Sequence, residues 1–109
     1  MNSKSKGNIA EKKAKEYLLN KKFRIVETNF YCKGGEIDII AYKNDVIHFI
    51  EVKSGNSFEP IYNITRTKLN RIIKCAYFYL QKHKINLDFC IDAIIIKNNQ
   101  IEFIENLTL

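Results

Sequence analysis

Apolar positions along the 109-residue chain change period several times, and each change marks an element. Ala10, Ala14, Tyr17 and Leu18 recur at helical spacing and predict an amphipathic helix over residues 8–21. Residues 23–30 read as a strand of mixed alternation, and Cys32-Lys33-Gly34-Gly35 is turn chemistry. Residues 36–42 and 46–53 then form two strands around a tight Lys43-Asn44-Asp45 loop, a hairpin pattern. The polar stretch 54–63, with Gly55 and Pro60, predicts a loop. Leu69, Ile72, Ile73, Ala76, Tyr77 and Leu80 mark a second helix over 65–83. Residues 88–96 make an apolar strand, Asn98-Asn99 a turn, and 101–104 a short last strand. The order is αβββαββ. A strand–helix–strand crossover should set the strands around Val52 and Ile94 parallel, with a right-handed connection.

The length fits one domain spanning residues 1–109, with no repeat, linker or low-complexity tract. No apolar run approaches the roughly 20 residues that cross a bilayer, so no membrane role is expected. The basic N-terminus lacks an apolar signal core, so a cytoplasmic location is expected. Three widely spaced cysteines, Cys32, Cys75 and Cys90, form no CxxC pair or zinc-type cluster, and reduced thiols are the expectation. A net charge of +6 suits a polyanionic partner such as nucleic acid. A solvated basic surface with no partner is the common alternative.

The hairpin carries the chemistry. The strand Val46-Ile47-His48-Phe49-Ile50-Glu51-Val52-Lys53 is apolar on both faces until its end, as an interior strand is. Glu51 and Lys53 are two apart and share a face, and charges placed there are costly unless compensated. Asp38 lies between apolar neighbours on the preceding strand and shares a face with Glu36. Antiparallel pairing around the loop brings Asp38 beside Glu51, two carboxylates within reach of one cation. Such hard oxygen donors suit Mg²⁺ or Mn²⁺, with the Val52 carbonyl as a further ligand. Lys53 would then orient an attacking water or neutralise charge on a phosphorane. The competing reading is a cross-strand salt bridge of Lys53 with Asp38 or Glu51.

Asp38, twelve intervening residues and Glu51-Val52-Lys53 resemble the PD-(D/E)xK nuclease motif, with Ile37 where the proline would stand. Gly7-x-x-x-Glu11, Gly35-Glu36-Ile37-Asp38 and Glu51-Val52-Lys53 together resemble the YraN-like family, an uncharacterised bacterial family similar to archaeal Holliday junction resolvases. Asn29, Lys68, Ala76, Tyr79-Leu80 and Asp92 also fall where that pattern expects them. The resemblance runs from Gly7 to about Ile104. It implies a restriction-endonuclease-like α/β fold, a mixed sheet flanked by helices, and a Mg²⁺-dependent DNA nuclease. Asp38 and Glu51 would bind the metal, Lys53 would assist the water, and Glu11 would join from helix one. A junction-cutting enzyme of this kind would act as a homodimer.

Several residues keep two readings. Asn8-Ile9-Ala10-Glu11 also fits a capping box, with Asn8 as cap. Glu36 reads as a supporting or solvent-facing acid. Arg66, Lys68, Arg71 and Lys74 lie off the apolar stripe of helix two, either as a phosphate-tracking strip or as a solvated face. His48 projects opposite to Glu51 and reads as a core or edge histidine. His83 suits the helix C-terminal dipole, and Phe58, Tyr62 and Tyr31 could stack on bases or simply pack. Positions where the family usually has arginine hold Tyr31, Gly55 and Cys90, which removes natural phosphate contacts. Asp92 then reads as a buried structural acid. The rival class is a module that keeps the fold and binds DNA or protein without cutting.

Overall fold

A computed structural model describes residues 3–55 and 64–108, with side chains from residue 9 onward. Its elements are α1 (Ser3–Asn20), β1 (Arg24–Cys32), β2 (Gly35–Lys43), β3 (Val46–Gly55), α2 (Arg66–Lys82), β4 (Asp88–Lys97) and β5 (Gln100–Ile104). The five strands form one sheet in the order β1-β2-β3-β4-β5. Only β3 and β4 run parallel, the expected direction, and Val52 faces Ile94 in that ladder.

The hairpins close through residues that tolerate a left-handed backbone. Asn44 and Asp45 have φ of 51° and 65°, and Asn98 and Asn99 have 52° and 65°. Positive φ at both central positions matches the strand twist of a two-residue hairpin. Gly34 takes φ 84° at the β1–β2 turn, where a side chain would be strained.

The helices cover opposite faces of the sheet. Against α2 pack Ile40, Ile47, Phe49 and Ile91, and against α1 pack Ile39, Ala41, Ile50, Ile94 and Ile96. α1 contributes Ala10, Ala14 and Leu18, whose small and branched side chains let it lie close to the sheet. The Thr65 side chain caps α2 by accepting from the Lys68 N–H at 3.1 Å.

Four expectations are corrected. α1 begins at Ser3, so Asn8 lies inside the helix and is not its cap. The buried stripe of α2 is Leu69, Ile72, Cys75, Ala76, Tyr79 and Leu80. Tyr77 is exposed, because the helix is turned slightly from the face its strongest hydrophobes suggest. β3 continues through Ser54 and Gly55, which the sequence assigns to a loop, because β4 pairs with both. The rest of that stretch, with Phe58 and Tyr62, lies outside the described residues. Finally, Cys32 and Cys75 are joined in a disulfide, with Cα atoms 5.8 Å apart. α2 crosses above the β1–β2 turn and brings together two thiols that are 43 residues apart.

Candidate active site

Backbone pairing of β2 with β3 runs from Lys43 opposite Val46 to Ile39 opposite Ile50. One residue further along this register are Asp38 and Glu51. There the ladder gives way to a side-chain contact, in which the Val52 N–H donates to Asp38 Oδ2 at 2.8 Å. The N–H and C=O of a strand residue point to the same neighbour, so the Val52 carbonyl also faces the gap beside Asp38.

Glu51 is buried, and its Oε1 lies 3.0 Å from Lys68 Nζ and 3.8 Å from Lys53 Nζ. Burial pushes both carboxyls above their ordinary range. For Glu51 the charge of Asp38 adds to the rise, against the pull of Lys68. For Asp38 the Val52 N–H, Lys68, Lys53 and the neighbouring Glu51 side chain oppose it. Two like-charged acids lining one cleft, with burial resisting their ionisation, are a donor set that a divalent cation would compensate.

The cations nearby are unequal. Burial and the neighbouring Lys68 ammonium lower the Lys53 pKa, against the pull of Glu51 and Asp38. Burial also acts to lower that of Lys68, but its contacts with Lys53 and with Glu51 and Asp38 outweigh this and raise it. Lys53 is therefore the more ready of the two to give up its proton.

Asp38 and Glu51 open onto a cleft of about 450 Å³, lined also by Glu36, Thr65, Lys68 and Arg71. Of the four basic residues proposed for α2, Lys68 and Arg71 line the cleft, whereas Arg66 and Lys74 are exposed beyond it. Burial raises the pKa of Glu36, helped by Asp38 and then Glu11. Glu11 thus acts electrostatically on the rim but does not line the cleft. Its Oε1 accepts from Asn29 Nδ2 at 2.9 Å. Asn29 holds φ 54° within β1, between residues that pair on either side of Asp38. A left-handed residue inside a strand is uncommon and clusters at functional sites.

Sequence reasoning missed one cluster on the other face of the sheet. His48 is opposite Cys90 in the parallel ladder, and its Nδ1 lies 2.5 Å from Oδ2 of the fully buried Asp92. The sequence signal was only the parallel direction of the two strands; the register that pairs Val52 with Ile94, and so His48 with Cys90, is set by the structure. Asp92 is a buried acid, as its apolar neighbours suggest, and its other oxygen accepts from the Asn106 N–H at 2.8 Å.

An α/β domain with this strand order, its two helices on opposite faces and paired acids at the end of the central hairpin has the restriction-endonuclease-like architecture. The profile described as "Uncharacterised protein family UPF0102" matches residues 10–96, and the chain belongs to that family, the YraN-like proteins. It is 56% identical to a UPF0102 protein of Helicobacter hepaticus over 109 residues, 100% of this chain and 99% of that one. A UPF0102 protein of Wolinella succinogenes is 53% identical over 107 residues, 98% of this chain and 99% of its own. One from Helicobacter pylori is 54% identical over 104 residues, covering 95% and 91%.

Proposed function

We propose that this protein is a Mg²⁺- or Mn²⁺-dependent nuclease that hydrolyses DNA phosphodiester bonds. The observation that carries the reading is that Asp38 and Glu51 line one cleft from neighbouring strands, with Lys53 and Lys68 against Glu51 and the α2 cations along its border. Asp38, Glu51 and the Val52 carbonyl would hold the cation, which would supply charge to polarise the phosphate and acidify a water. Lys53 would orient that water and take up or release a proton as the bond breaks. Lys68 and Arg71 would meet phosphate oxygens along the cleft, Arg71 through its planar fork. Glu11 would act at one remove, through Asn29 and the field at Glu36. Cutting two strands of a branched junction symmetrically would require a homodimer.

Purified protein incubated with junction, flap, single-stranded and duplex DNA, with Mg²⁺ or Mn²⁺, tests the reading. Cleavage of at least one substrate is expected, falling on the order of 100-fold or more in Asp38→Ala and Glu51→Ala. If no substrate is cut, or both variants cut like the wild type, the nuclease reading fails.

One observation favours a second reading, a non-cutting DNA-binding module. Lys68 already neutralises Glu51 at 3.0 Å, an arrangement that satisfies the acid without any metal. That reading expects DNA binding unaffected by chelation, and no Mn²⁺ heat signal in calorimetry.

A further inference from the structure

The described residues hold a second convergence of ligating atoms, on the α1 face and three residues upstream of Glu51. His48 Nδ1, Cys90 Sγ and a carboxylate oxygen of Asp92 all lie within 4.8 Å of one another. Nδ1 is 2.5 Å from Asp92 Oδ2 and 3.0 Å from Cys90 Sγ. His48 and Cys90 line an open cavity of about 640 Å³ that also presents Glu105 and Asn106. Asp92 is fully buried, and its Oδ2 lies against His48 Nδ1.

Two uses of a Cys–His–Asp set can be told apart by geometry. In a nucleophilic relay the thiol meets one ring nitrogen and the carboxylate the other. Here sulfur and carboxylate both approach the same nitrogen, Nδ1, so the imidazole cannot pass a proton from one side to the other. Convergence on a single point is instead what a metal ion requires. One sulfur, one imidazole nitrogen and one carboxylate oxygen form a mixed donor set suited to Zn²⁺ and unsuited to Mg²⁺.

From this geometry we infer that Cys90, His48 and Asp92 form a binding site for a Zn²⁺-class transition-metal ion, separate from the Asp38–Glu51 cleft. Metal–sulfur and metal–nitrogen bonds of about 2.3 and 2.0 Å would set tetrahedral donors roughly 3.3–3.6 Å apart. The two separations from His48 Nδ1, 2.5 and 3.0 Å, need to lengthen by about 1 Å or less, which small torsional changes at Cys90 and His48 supply. On binding, the Cys90 thiol releases its proton to solvent, and the proton held between His48 Nδ1 and Asp92 Oδ2 leaves that contact, to solvent or by tautomerisation to Nε2, so that His48 binds as a neutral imidazole with its ring proton on Nε2. The Asn106 N–H fixes Asp92 from behind through the other oxygen, the kind of outer contact that orients a metal-bound carboxylate. The fourth position opens toward the cavity and Glu105. A metal here would join the start of β3 to β4 on the face opposite the cleft.

Titration of the chelator-stripped full chain with Co²⁺ tests the site. A thiolate-to-cobalt charge-transfer band saturating at one equivalent is expected. The band should vanish in Cys90→Ser, weaken at least tenfold in apparent affinity in His48→Gln, and persist both in Asp38→Ala/Glu51→Ala and in Cys32→Ser/Cys75→Ser. In the unmutated protein, one equivalent of Zn²⁺ should slow iodoacetamide alkylation of Cys90 at least tenfold, read by mass spectrometry, so the test does not depend on any variant folding. Absence of the band together with unprotected Cys90, or a band that survives Cys90→Ser, overturns the inference. Loss of nuclease activity in the cleft variants leaves it untouched.

Discussion

Two neighbouring carboxyls at the end of a buried hairpin cost the fold free energy, because burial opposes the ionisation of both and the charge of Asp38 adds to this at Glu51. Asp38→Asn keeps an oxygen for the Val52 N–H and removes one charge. It should stabilise the protein in chelator by roughly 0.5–2 kcal/mol, the size of a common stabilising substitution, while eliminating cleavage. Urea denaturation at neutral pH measures this, and a destabilised Asp38→Asn would contradict it. The pH dependence follows the same cause. Burial raises the pKa of Asp38 and of Glu51 in the folded state. Between the ordinary and the raised values, the folded protein holds more protons than the unfolded chain. Their contribution to stability is therefore full below the ordinary carboxylate range and is lost as pH rises through the raised values. In chelator, wild-type stability should fall across that window, and Asp38→Asn/Glu51→Gln should flatten the profile.

At the scale of elements, the sheet and α2 are held by packing and by one covalent tie. Leu18 is completely buried between α1 and the sheet, so Leu18→Ala should cost roughly 2–5 kcal/mol in a denaturant titration. The Cys32–Cys75 disulfide closes a loop of 43 residues, for which chain entropy gives about 4 kcal/mol. Reduction should therefore lower the unfolding midpoint, with Cys90→Ser as the parent so that no third thiol exchanges. Equal midpoints with and without reductant would count against the bridge as a stabilising link. The same tie holds α2 over the β1–β2 turn, where the Arg71 Cβ would come within 3.6 Å of a Cβ added at Gly35. It therefore helps to set one wall of the cleft.

For the whole molecule, the helices divide the sheet into two unlike faces. The α2 face carries the acids, the lysine pair and the exposed Arg66, Arg71 and Lys74, and this is where DNA would lie. Replacing Arg71 or Lys74 with Ala should weaken binding similarly across DNA sequences. Each should also reduce the slope of log affinity against log salt by about 1, as for one phosphate contact. Fluorescence anisotropy at several salt concentrations reads both quantities, and an unchanged slope would place that residue off the DNA path. Chemistry on the α1 face is independent of this, which is why the two proposed metals can be titrated separately. No helix among the described residues is long and apolar enough to cross a membrane.

The element order, the hairpin and the β3–β4 parallel pairing were all legible in the chain, because apolar period and turn residues report local geometry directly. The neighbourhood of Asp38 and Glu51 was legible too, since a tight loop folds one strand straight back on the other, but the exact register was not, because the sequence puts Lys43 in the loop whereas Lys43 pairs with Val46. What the chain alone could not decide depended on how α2 lies across the sheet. That placement turned Lys68 from a surface cation into the partner of Glu51, and joined Cys32 to Cys75. It also turned Tyr77 outward and Tyr79 inward. Likewise the start of α1 at Ser3 removed the cap at Asn8 and left Glu11 tied to Asn29. Sequence spacing sets which residues share a strand or helix face, whereas the distance between two faces is set by the packing of elements far apart in the chain.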